Sequence, residues 1–256
     1  MFVTTSRQPR QEERIWAERI ARRMGADYLP RESRSLTQMM GETAAEAAVV
    51  VGSDGAYWED REGNTFRFHP NLAAPRVKTL TSGGSDALVT AAALQSGDRI
   101  LDCTLGLGAD AIVAAHVAGE AGEVVGLESQ PVIATLVDYG LGHYQAASPR
   151  LMQAMQRVRV VCADYREVLL HQEDDSFDVV LFDPMFRQTV TRSSALQSLK
   201  MLANPEPLHP KSVQEALRVA RKRVVLKERL MSGEFERLGF RVVKEASNYA
   251  FGILEP

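Results

Sequence analysis

From residue 99 onward, short apolar runs alternate with segments of helical spacing. "RILDCTLG", "EVVGLE", "VRVVCAD", "FDVVLFDP" and "KRVVLKE" are rich in β-branched residues and run out into polar or acidic positions. Between them, "ADAIVAAHVAG", "PVIATLVDYGLGHY", "YREVLLH" and "SVQEALRVA" repeat their apolar residues at helical intervals. Strands that are apolar throughout and alternate with helices predict a parallel sheet covered on both faces. Two last runs, "FRVVKEA" and "NYAFGILE", meet at Ser247-Asn248. So short a connection predicts a hairpin and an antiparallel end to the sheet.

The first 75 residues follow a different pattern. "EERIWAERIARRMG" predicts an amphipathic helix with Ile15, Trp16, Ile20 and Met24 along one side and Gly25 as its stop. "SLTQMMGETAAEAAVVVG" predicts a helix running into a strand, and "AYWEDREGNTFRFHP" a hairpin turning at Glu62-Gly63-Asn64. The organisation expected is a small α/β domain over residues 1–75 and a main domain over 76–256. The connecting segment is "NLAAPRVKTLTSGGSD".

Composition adds bounds. No apolar run is long enough to cross a bilayer, and the first residues lack the apolar core of a signal peptide, so a cytoplasmic protein is expected. Cys103 and Cys162 both fall in runs expected to be buried; they make neither a disulfide framework nor a metal set, and no metal is expected. The net charge of -3 is unevenly spread: bases dominate from Arg187 to Arg229 and in the first 34 residues, while 102–183 is acidic. Charge alone leaves open a polyanion-facing surface or simply solvated faces.

Chemistry gathers at the strand ends. In "ILDCTLGLGADA", Gly106 and Gly108 follow a strand and precede a helix, where glycine permits a tight turn and close approach of a ligand to the backbone. Alone, G-x-G also serves an ordinary strand–helix turn. Asp102 beside it would repel a pyrophosphate and suits a ligand with a cationic end, such as the amino-acid portion of S-adenosylmethionine. The next strand ends at Glu128, placed to accept from ribose hydroxyls, and the third at Asp164, placed to accept from an adenine amine. Three acids on successive strands after a glycine-rich turn point together to an adenosyl ligand.

"LDCTLGLGADA", "VVGLES", "VVCAD" and "FDVVLFDPMF" resemble, in order and spacing, the class I S-adenosylmethionine-dependent methyltransferases over roughly residues 80 to 256. "DPMF" with "T-x-G-x-G-x-D-A" is similar, more narrowly, to the ribosomal small-subunit methyltransferase J family, which methylates the exocyclic amine of a guanine in small-subunit rRNA. "FRFHPNLAAPRVKTLTSGGSDAL" resembles a bacterial branch of relatives. The resemblance implies a Rossmann-like seven-stranded sheet, mostly parallel, with S-adenosylmethionine as cofactor and rRNA or a ribosomal subunit as partner. It implies a cofactor site of Asp102, Thr104, Gly106, Gly108, Asp110, Glu128, Ser129 and Asp164, with Ser85 of "TSGGSD" approaching the same pocket. The N-terminal region is longer than the family's, and "FRQTVTRS" after DPMF departs from it.

An exocyclic amine has its lone pair delocalised into the base, so it must be aligned for attack. In related enzymes carrying D/N-P-P-Y/F, the acid or amide side chain and the next carbonyl accept from the amine and an aromatic stacks on the base. Asp183, the Pro184 carbonyl and Phe186 occupy those places here, and proline, without an N–H, helps present its carbonyl. Met185, Arg187, Arg192 and Lys227 are the expected substrate contacts. A small-molecule or protein methyltransferase and a non-catalytic RNA-binding relative are the alternatives.

Overall fold

The structure is a computed structural model and describes residues 1–184, 202–204, 206–246 and 248–256. Met185, Phe186, Arg187 and Arg192 of the candidate site, and Ser247 of the expected hairpin turn, lie outside the described residues.

The chain begins with strand β1 (Phe2–Thr5), helix α1 (Gln11–Met24), β2 (Asp27–Tyr28), α2 (Leu36–Thr43), β3 (Ala47–Gly52), β4 (Gly55–Asp60) and β5 (Thr65–Arg67). The strands make one sheet in the order β2-β1-β3-β4-β5, with β1 parallel to β2 and β3 and the β3-β4-β5 hairpins antiparallel. α1 stops at Gly25, whose φ of 61° is left-handed, as expected of that glycine. Its buried face is Glu13, Ala17, Ile20 and Ala21; Ile15 is exposed, because it lies on the opposite side of the turn from Ala17. β1 and β2 were not expected, being too short to show a period.

The connecting segment is not a linker. It folds into a 3₁₀ turn at Pro70–Leu72, α3 (Ala74–Thr81) and α4 (Ala87–Ala92), so α3 spans the expected boundary between residues 75 and 76. Beyond it come β6 (Arg99–Asp102), α5 (Ala109–Ala118), β7 (Glu123–Glu128), α6 (Pro131–His143), α7 (Pro149–Gln156), β8 (Val158–Cys162), α8 (Tyr165–His171), β9 (Phe177–Phe182), α9 (Pro210–Val219), β10 (Ala220–Glu228), α10 (Glu234–Leu238), β11 (Arg241–Glu245) and β12 (Ala250–Leu254).

Among the described residues, these strands form a sheet in the order β11-β12-β10-β9-β6-β7-β8. β6 to β10 run parallel, and β12 inserts antiparallel between β10 and β11. The period of two along each strand feeds both faces. Ile100, Val124, Val179 and Leu181 join one core, with α5 and α6; Leu101, Val125, Val180 and Phe182 join another, with Val213 and Ala216 of α9. Strand order reverses at β6, so the carboxyl ends of β6, β7 and β9 frame the crevice where an open α/β sheet binds ligands.

The first core also takes in Val49, Val51, Trp58 and Phe66 of the N-terminal sheet. Gly140 of α6 allows this close approach: a Cβ there would stand 2.3 Å from the ring of buried Phe68. Gly140→Ala should lower stability by about 1–3 kcal/mol through overpacking, read as a reduced midpoint in urea denaturation. Cys103 is buried, but Cys162 is exposed, because β8 is an edge strand whose end leaves the core. No described helix is long and apolar enough to cross a membrane.

Candidate active site

The turn after β6 is built by its two glycines. Gly106 and Gly108 adopt φ of 49° and 72°, conformations that a side chain disfavours. The turn is stitched to the neighbouring strands: Leu105 N–H donates to the Leu127 carbonyl and Cys103 N–H to the Leu181 carbonyl, both at 2.9 Å. The open space above these strand ends is a pocket lined from β6 and its turn by Asp102, Thr104, Gly106 and Asp110. β7 contributes Glu128 and Ser129; the ends of β8, β9 and β10 add Asp164, Asp183 with Pro184, and Lys227.

Two candidates stand elsewhere. Gly108 sits behind the pocket as the N-cap of α5, its α-carbon facing Leu105 and Val137. Ser85 is exposed and off the pocket wall; the neighbouring Asp86 turns inward to cap α4, accepting from Leu88 and Val89 N–H. Lys227, expected at the substrate, lines the pocket and is held there by two carboxylates.

Each acid has its own environment. Asp102 is 3% exposed and accepts from Thr104 N–H at 3.0 Å. Burial, reinforced by the charges of Asp110 and Asp183, pushes its carboxyl up to about 8. Glu128 accepts from Gly106 N–H at 3.2 Å and Gln130 N–H at 2.9 Å, while burial raises its pKa. Asp164 is already engaged: Arg166 grips both its oxygens at 2.6–3.0 Å and holds its pKa below the usual range. That grip competes with any role as an acceptor for adenine.

At the exit of β9, Asp183 N–H donates to Thr104 Oγ1 at 2.6 Å, so the glycine turn sets where the strand leaves the core. The Asp183 carboxylate binds Lys227 Nζ at 2.6 Å, and the same ammonium reaches Asp110 at 3.0 Å. Asp110 in turn takes Arg76 at 2.5 Å, and Arg76 forks onto both oxygens of Asp86 at 2.8 and 3.0 Å. Burial raises Asp183, up to about 6, with Asp110 adding to the rise and Lys227 opposing it. Burial would also raise Asp110, but Lys227 and Arg76 outweigh it and hold that carboxyl below its usual range. Nothing in the sequence pattern singles out Arg76: its near partner Asp86 lies ten positions on, beyond the reach of one helical turn, and reads as a helix cap. Its second partner, Asp110, lies 34 positions away.

The bases from 187 to 229 divide. Arg218 in the last turn of α9 and Arg221, Lys222 and Arg223 at the start of β10 lie at the end of the sheet away from the pocket. They pair there with Asp174, Asp178, Asp98 and Glu255. Among the described residues, no group of three or more His, Cys, Asp and Glu side chains is placed to hold a metal.

A family model described as "Putative SAM-dependent methyltransferase" matches residues 65–246. The chain belongs to this family of methyltransferases. It is 36% identical over 255 residues to "Uncharacterized protein YpiP" of Bacillus subtilis (strain 168), covering 99% of each chain. It is 27% identical over 223 residues to "Ribosomal RNA small subunit methyltransferase J" of Pseudomonas aeruginosa (strain UCBPP-PA14), covering 84% of this chain and 78% of that one. Against the protein of the same name from Acinetobacter baumannii (strain AYE), identity is 31% over 156 residues, and the match spans about half of that protein, 53%. The crystal structure of the SAM-dependent methyltransferase NGO1261 from Neisseria gonorrhoeae shares the fold, with a TM-score of 0.63 at 14% identity over 100% of this chain and 96% of that one.

The methyltransferase's cofactor is S-adenosylmethionine, and the donor set fits it. A buried carboxylate at Asp102 matches a ligand ammonium, and Glu128 at the tip of β7 offers a carboxylate to a diol. A turn with two left-handed glycines leaves room beside the backbone.

Proposed function

We propose that this methyltransferase modifies the exocyclic amino group of a guanine in small-subunit rRNA. One observation carries the reading: Asp183 and Pro184, at the end of β9, open onto the same pocket as the acids suited to the cofactor. When bound, S-adenosylmethionine supplies a methyl group on cationic sulfur, which passes to nitrogen with the carbon–sulfur electron pair left on sulfur. Asp102 would hold the cofactor's ammonium and Glu128 its ribose, with Thr104, Gly106, Asp110 and Ser129 around them and Asp164 at the adenine end. Among the described residues Lys227, on Oδ2, is the one side-chain donor to the Asp183 carboxylate, and no backbone donor reaches the Pro184 carbonyl. Asp183 Oδ1 and the Pro184 carbonyl would accept from the amine's two N–H groups. This holds the nitrogen with its lone pair out of the base plane. Asp183 is then placed to take the proton that the methylated nitrogen sheds. Phe186, two residues on, is the proposed stacking partner for the base.

The names of the Pseudomonas and Acinetobacter relatives support an rRNA substrate, which would place the protein in the cytoplasm. Mass-spectrometric mapping of small-subunit rRNA from a deletion strain should show one guanine lacking its N2-methyl group, restored by the wild-type gene. An unchanged modification profile would overturn the reading. A small-molecule or protein substrate is the second reading, favoured by the pairing of Arg218 to Arg223 away from the pocket. It predicts cofactor binding with rRNA unchanged.

A further inference from the structure

The pocket is joined to the N-terminal side of the protein by a chain of ion pairs that no strand-end motif requires. Arg76 comes from α3, Asp86 caps α4, Asp110 opens α5, Lys227 closes β10 and Asp183 ends β9. Five separate elements thus converge through side chains alone. Removing one member of such a buried set leaves its partners as uncompensated charges.

Two features give the chain a direction. Lys227 is the enclosed partner, its side chain 15% exposed, while that of Asp183 is 34% exposed. The ring of Tyr249, beside β12, covers the ammonium at 5.1 Å. A substrate entering the pocket therefore meets the carboxylate first. The ammonium also takes only one oxygen of Asp183, Oδ2. Among the described residues no donor reaches the other oxygen, and its orientation is fixed by the bond behind it.

We propose that Lys227 is a positioning residue that keeps Asp183 ionised and aims its Oδ1 at the substrate amine, and that Arg76, acting through Asp110, holds Lys227 in place. The proposal rests on the reading of Asp183 as the amine's acceptor. Its physical content is simple. An acceptor must be deprotonated to receive two successive demands, an N–H hydrogen bond and then a proton, and a crowded acidic site works against that. Burial and the charge of Asp110 both press Asp183 toward its neutral form, and a fixed ammonium counters them. Arg76 matters because Asp110 competes for the same ammonium. With the guanidinium on Asp110 Oδ1, that carboxylate is already half neutralised and shares Lys227 rather than capturing it. Arginine suits the task, since its planar fork can bind Asp86 bidentately and still spare a nitrogen for Asp110.

The test uses the full chain with aspartate labelled with ¹³C at the side-chain carboxyl, titrated by NMR without RNA. The Asp183 signal is identified by its loss in Asp183→Asn. In Lys227→Met the Asp183 midpoint should rise by about 1–3 pH units, and in Arg76→Met it should move the same way by less. Lys227→Arg, which keeps the charge, should stay near the wild-type midpoint. Thermal melts establish that each variant is folded; should Lys227→Met not fold, the Arg76→Met titration decides. Unmoved midpoints in the methionine variants would overturn the proposal, as would an arginine variant shifted as far as Lys227→Met. The acid limb of single-turnover methyl transfer to rRNA from the deletion strain should shift in parallel with the NMR midpoints, whereas a merely structural role would lower the plateau and leave the limb in place. Because the titration needs no substrate, a wrong guanine assignment shows as absent transfer with the midpoints still displaced, distinct from failure of the ion-pair device.

Discussion

Asp183→Ala should reduce methyl transfer by about 10²–10⁴-fold, the range associated with losing a positioned proton acceptor, while cofactor affinity stays close to wild type. The separation follows from what Asp183 touches. Its N–H bond to Thr104 Oγ1 belongs to the backbone and survives in alanine, so the glycine turn keeps its anchor on β9. Its carboxylate contacts Lys227 and otherwise faces the pocket. Alanine therefore removes the acceptor for the substrate amine and leaves the hydrogen bonds of Asp102 and Glu128 in place, while losing the Asp183 charge eases ionisation of Asp102, so cofactor affinity should not fall. Single-turnover transfer and calorimetric titration with S-adenosylmethionine measure the two quantities independently. Retained transfer would remove Asp183 from the chemistry; loss of cofactor binding would place it in the cofactor site instead.

Affinity for S-adenosylmethionine should rise with pH, by up to about 30-fold between pH 5.5 and 7. Asp102 is the cause. Burial, then the charges of Asp110 and Asp183, push its carboxyl up to about 8, against the hydrogen bond from Thr104 and the charge of Lys227. The ligand-free protein therefore keeps Asp102 largely protonated at neutral pH, and an ammonium ligand requires it ionised. Below its pKa, each pH unit costs about tenfold in the ionised fraction. The rise should flatten above pH 7, because α-amino groups lose their own proton near 7.7–8.0. Binding near neutrality should release a proton, detectable by calorimetry in buffers of different ionisation enthalpy. Asp102→Asn should abolish both the slope and the release, and a flat profile in the wild type would contradict the assignment. The same shift has a consequence for stability. A carboxyl raised from 3.8 to about 8 favours the fold fully below the lower value, and that contribution is lost as pH rises through the upper one. Asp102→Asn should therefore flatten the decline of the ligand-free protein's melting temperature across this window.

Much of this site was legible in the chain because it is local. β6, β7, β8 and β9 announce themselves as apolar runs, and their last residues, Asp102, Glu128, Asp164 and Asp183, must then share one edge of a parallel sheet. The glycine turn was legible for the same reason, since a strand and a helix a few residues apart leave few conformations for the link. The seven-stranded sheet with an antiparallel end follows from the same pattern. What escaped were features whose meaning lies in a distant partner. "NLAAPRVKTLTSGGSD" reads as a connector, and its two short helices are stabilised by packing rather than by a long period. The pattern sets Cys162 in a buried run and Ile15 on the apolar side of its helix, yet burial depends on whether another element covers that side.

The sequence by itself determined the alternation of β6 to β9 with α5, α6 and α8, the acids at the strand tips, the glycine turn and the position of the Asp183-Pro184 exit. Each of these is a property of a few consecutive residues. Only the tertiary structure decided that Lys227 faces Asp110 and Asp183 rather than solvent, and that Arg76 completes the set across 34 positions from Asp110. It also decided that Arg166 already occupies Asp164 and that Ser85 lies exposed, off the wall of the pocket that Asp86 helps to brace. The physical reason is that a charge is assigned its partner by distance in space, which no local pattern of residues encodes.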